Sequence, residues 1–81
     1  MAIQNLEHAK RTAVHFVRTF GLRPFHHGNT EAALFAGLDE QGVKRRIVEV
    51  VDSLRGSSSF NSGELGKSLI AFADEARAQL A

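Results

Sequence analysis

From Ile3 to Phe20 the apolar residues return at every third or fourth position: Ile3, Leu6, Ala9, Ala13, Val17 and Phe20. That interval follows the 3.6-residue turn of an α-helix and gathers the six side chains on one face. Val14 and Phe16 widen the face on either side, while His8, Arg11, His15 and Arg18 fall opposite. Gly21 is a stop signal directly after Phe20, and Pro24 stands shortly beyond it. The segment 3–20 is therefore predicted to be an amphipathic helix.

The same period recurs further along. Val43, Ile47, Val50, Val51 and Leu54 form a one-sided stripe and predict a helix over 41–55. The β-branched run Ile47-Val48-Glu49-Val50-Val51 also suits a strand, but its polar residues cluster rather than alternate, which favours helix. Leu65, Leu69, Phe72, Ala73, Ala76 and Leu80 predict a last helix over 63–80, with Ser62 placed to cap it. Between the long segments, Leu34, Phe35 and Leu38 anchor a short helix over 30–38, capped by Asn29 or Thr30 and helped by Glu31 in its first turn. Residues 21–29 read as a connector. Residues 56–62, Gly-Ser-Ser-Ser-Phe-Asn-Ser, read as a loop by composition. The expected fold is all-α, a compact bundle of about four helices (3–20, 30–38, 41–55, 63–80) in a single domain, 1–81.

Size limits what such a bundle can do. The chain has 81 residues and no Cys, Trp or Tyr. At this length only about 60–65% of the unfolded surface is buried, and no disulfide or zinc–thiolate site can staple the core. Thiol catalysis is excluded outright, and a pocket of a few hundred Å³ is hard to enclose while keeping a core. Asp39-Glu40 and Asp74-Glu75 are adjacent in sequence, so the members of each pair point in different directions on a helix. No catalytic, cofactor or metal site is expected. His8 and His15 lie about 10 Å apart along a helix, and His26-His27 bring no carboxylate or Cys at ligand spacing. No apolar stretch approaches the roughly 20 residues of a membrane span. The first residues, Met1 to Glu7, lack the basic-then-apolar pattern of a signal peptide, so a cytoplasmic location is expected.

Charge gives little direction about partners. Ten Lys and Arg face nine Asp and Glu, for a net charge of +1. The longest like-charge run is Lys44-Arg45-Arg46. Residues 29–47 can be laid on a helix-turn-helix pattern, with Ala33 as the small residue, Gly37 at the turn, and Leu38, Val43 and Ile47 packing. A DNA-binding reading over 30–54 would then use Lys44, Arg45 and Arg46 on phosphates or base edges. Asp39 and Glu40 oppose it, since they would face phosphates, and the small net charge supplies little attraction. A solvated edge with an Arg45–Glu49 pair at i,i+4 explains the same residues.

Three short matches to known families are present. Gly66-Lys67-Ser68 resembles the end of a phosphate-binding loop, but Asn61 stands where that loop requires Gly. Asp52-Ser53-Leu54 resembles the attachment site of acyl carrier proteins, although Ser53 ends a helix here rather than opening one, and Arg55 follows. Ser53-Leu54-Arg55-Gly56-Ser57-Ser58 is similar to the segment after the phosphoacceptor His of histidine phosphotransfer domains, which are also four-helix bundles. The acceptor position holds Asp52, so that resemblance implies a silent bundle that binds a signalling partner. None of these matches assigns the chain to a family.

The leading expectation is a small non-enzymatic interaction module, a regulator or inhibitor that binds another protein. Phe25 and Phe60, aromatics in loops, are the candidate partner contacts; each also suits a lid on the core. The wide apolar arc of the first helix further predicts self-association as a homodimer or a stable heteromeric partner.

Overall fold

The computed structural model describes residues 3, 5–21 and 29–80. They form five helices in chain order: α1 (Leu6–Phe20), α2 (Thr30–Phe35), α3 (Glu40–Leu54), α4 (Ser58–Ser62) and α5 (Glu64–Leu80). The fold is all-α, as expected.

Helix boundaries follow local capping chemistry. The first helix opens at Leu6 rather than at residue 3, because Asn5 is extended and its Oδ1 accepts the His8 N–H at 2.8 Å. It closes at Gly21, whose left-handed backbone (φ 60°) lets its N–H donate to the Val17 carbonyl. Asn29, not Thr30, caps α2 through the Ala32 N–H. This helix is shorter than expected and ends at Phe35. Ala36 is extended and Gly37 has φ 77°, so Leu38 leaves the helix and is 36% exposed instead of anchoring it. Asp39 then caps α3 by accepting the Gly42 N–H at 2.8 Å.

A second correction concerns residues 56–62. Within this Ser-rich stretch, 58–62 form α4, and Phe60 on it is 0% exposed. Gly63, not Ser62, precedes α5, and its carbonyl accepts the first helical bond from the Lys67 N–H. Asn61 ties α4 back to the end of α3 by donating from Nδ2 to the Arg55 carbonyl at 2.6 Å.

The core lies where α1, α3 and α5 meet. α3 packs chiefly on α5, α1 touches α2, α3 and α5, and α4 rests on α5. The whole expected stripe of α3 is buried: Val43, Ile47, Val50, Val51 and Leu54. Ala9, Ala13, Phe16 and Val17 face it from α1, and Leu69 and Ala73 from α5. Phe60 closes the end of this core, edge-on to Phe16 (centroids 4.8 Å apart, 87°) and to Phe20 (6.4 Å, 88°). Such edge-to-face pairs add about 0.5–1.5 kcal/mol each beyond area burial. The radius of gyration, 11.5 Å, equals the roughly 12 Å expected of a compact chain this long.

Candidate functional site

Sequence-derived candidates separate on the structure. Phe25, with His26 and His27, lies outside the described residues. Phe60 is the lid of the core, with no exposed surface to offer a partner. Phe16 (8% exposed) and the half-buried Phe20 rest against it, so these two rings of the α1 arc are covered from within the chain, while Ile3, Leu6 and Val14 of the same arc are half-buried.

The cationic run is also divided. Lys44, Arg45 and Arg46 step about 100° apart on α3, so they share no face. Lys44 pairs with Glu40 (3.7 Å) and donates to Gln79 Oε1 on α5 (3.0 Å). Arg46 pairs with Glu49 at 3.6 Å, which replaces the expected Arg45–Glu49 pair. Arg45 is exposed and forms no ion pair among the described residues. Gly66, the glycine of the phosphate-loop match, is buried within the first turn of α5. A Cβ there would stand 1.9 Å from the Phe60 carbonyl oxygen, so the glycine serves helix packing. Among the described residues, no three His, Cys, Asp or Glu come together as a metal site, and no helix is long and apolar enough to cross a membrane.

Asp52 and Ser53, the residues of the carrier and phosphotransfer matches, are exposed on the last turns of α3. Asp52 is engaged structurally. It meets Arg55 (3.4 Å) and Arg77 on α5 (2.5 Å), and Arg55 reaches Asp74 on α5 (2.5 Å). The hydrogen bond from Arg77 to Asp52, followed by the Asp52 charge, raises the Arg77 guanidinium above its ordinary value. These four residues tie the ends of α3 and α5 together along one flank.

Surface grooves are also present among the described residues. The first, about 470 Å³, is lined by Lys10, Asn29, Glu31, Ala32, Phe35 and Ala36 between α1 and α2. Its aromatic, Phe35, is only 6% exposed and has the Lys10 ammonium over its ring at 5.6 Å, so little apolar floor is left. The second, about 340 Å³, runs along the flank of α5 away from the ion pairs. Ile3, Ala71 and Phe72 form its apolar part, Ser68 its centre, and Glu64, Lys67 and Glu75 its rim. Phe72 and Ile3 are half-buried and pack on the core from outside, while Ala71 is exposed. Glu64, Lys67 and Glu75 make no ion pair among the described residues, unlike Asp74 and Arg77, which pair with Arg55 and Asp52 at the end of α3.

Periodicity placed Phe72 in the core stripe; the second groove itself was not anticipated. The available signal was the small pair Ser68 and Ala71 beside Phe72. Residue Ile3, which completes the wall, lies outside the helix predicted to contain it. The chain matches no family model, no curated protein and no solved structure.

Proposed function

We propose that the protein is a small interaction module that docks another protein on the α5 groove and performs no chemistry of its own. The observation that carries this reading is the asymmetry of α5. One flank spends its charges on α3, while the other presents half-buried Phe72 and Ile3, small Ala71 and Ser68, and a charged rim unpaired within the described residues. An apolar floor with a polar rim is the general form of a docking patch. A DNA-binding role on α3 has weaker support. The N-terminal end of that helix, which would lead into a groove, carries Asp39 and Glu40, and Lys44 and Arg46 are matched by acids. Phe60 covers part of the α1 arc on which self-association was expected, and a second copy is one identity the groove's occupant can have.

The test compares three forms of the chain as bait in extract of the native host: unaltered, Ala71→Arg and Arg45→Glu. Both substitutions are at exposed helical positions, so circular dichroism should be unchanged. The docking reading expects a stoichiometric partner held by the unaltered chain and by Arg45→Glu, and lost by Ala71→Arg. Capture that survives Ala71→Arg and fails with Arg45→Glu would transfer the function to α3.

A further inference from the structure

The groove's rim has a spacing that specifies the chemistry of its occupant. Glu64 and Glu75 are eleven residues apart on α5. At 100° and 1.5 Å per residue they lie within about 20° of one line and about 16 Å apart. Ser68 and Ala71 fall between them on the same stripe, with Phe72 at its edge and Ile3 as the facing wall. The stripe is thus small in the middle, apolar along one side and acidic at both ends, over three helical turns. Small central side chains let a second helix axis approach closely. Both terminal carboxylates are exposed, and no Lys or Arg among the described residues pairs with them.

From this geometry, and resting on the docking reading above, we infer that the groove's partner is an amphipathic helix. It carries a bulky apolar side chain at its centre, seated over Ser68 and Ala71 against Phe72. A Lys or Arg lies one and a half turns to each side, meeting Glu64 and Glu75. Helix-in-groove docking uses apolar anchors at i, i+3, i+4 and i+7 spacing, and the 16 Å span accommodates three such turns. Lys67, the one cation on the rim among the described residues, sits about 60° off the line of the two acids. It therefore meets the polar edge of the partner helix, where an acidic residue sets which way the helix runs.

Three synthetic peptides test this on the full chain. All are 18-residue amphipathic helices with the same Leu-rich stripe. The first carries Lys at two positions eleven apart flanking the stripe, the second Glu at those positions, and the third Gln. Binding is followed by backbone amide shifts and by anisotropy at low salt. The Lys peptide is expected to bind about tenfold more tightly than the Glu peptide, from two exposed pairs turned from attraction to repulsion. It should shift amides of residues 64–75, and Glu64→Gln with Glu75→Gln should erase the preference. Equal binding of all three peptides at the groove overturns the charge assignment and leaves the docking reading standing. Binding of none of them overturns the helical occupant, and the capture experiment with Ala71→Arg then judges the docking reading alone. A Lys-peptide preference that survives the double Gln substitution places its acids elsewhere and also overturns the assignment.

Discussion

An alanine at position 66 would bring its methyl carbon to 1.9 Å from the Phe60 carbonyl oxygen. In an open helix Gly→Ala gains about 1 kcal/mol of propensity. Here the obstacle is backbone, so α4 must move away from α5 and release Phe60 from Phe16 and Phe20. Gly66→Ala is expected to destabilise the chain by about 1–3 kcal/mol, the range of overpacked sites, as read from urea unfolding. Phe60→Ala should cost about 3–5 kcal/mol. That is a large share of the roughly 4–12 kcal/mol available to a domain of this length. In the sequence Gly66 stands out only through an incomplete phosphate-loop match, and Phe60 suits either a partner contact or a lid on the core; its burial bears out the lid. Neither role is local: each depends on the chain turning back at Gly63 to bring five residues of α4 against the first turn of α5.

At the level of elements, the three long helices were legible because each extends over several turns, enough for the 3.6 period to repeat. α4 has five residues and no room for a period, so its composition, which favours loop, dominated the reading. α2 was overextended because Leu38 continues the apolar spacing, while Gly37 with its positive φ ends the helix first. Partner choice within α3 also escaped: Arg46 at i−3 reaches Glu49, and Arg45 at i−4 does not. The Asp52–Arg55–Asp74–Arg77 cluster joins elements nineteen to twenty-five residues apart, a distance no local pattern reports. All four side chains are substantially exposed, so the cluster is worth little at physiological salt. Arg77→Met is expected to lower Tm only slightly, and the loss should shrink as salt rises. Since the shift of Arg77 is upward, its contribution is fully present below the ordinary arginine value. It is lost only as pH rises past the raised one, so neutral titration should leave the Arg77 increment unchanged.

For the molecule as a whole, the question raised by the sequence was whether 81 residues suffice alone. Among the described residues Phe60 folds inward against Phe16 and Phe20 of α1, and Leu38 is the only large apolar side chain that is clearly exposed, which favours a chain that stands alone. Sedimentation at tens of micromolar should accordingly give the 8.8 kDa mass of one chain; a stable dimer would contradict this. Random duplex DNA at low salt should not bind at the same concentrations, because two of the three cations of α3 are matched by Glu40 and Glu49. The proposed docking surface is the flank of α5 that the core and the ion pairs leave open. The most direct test of that assignment is amide shift mapping of the isotopically labelled chain with its captured partner. Shifts confined to residues 64–75 and Ile3 are the expected result. Shifts centred on residues 43–46, with α5 silent, would contradict it.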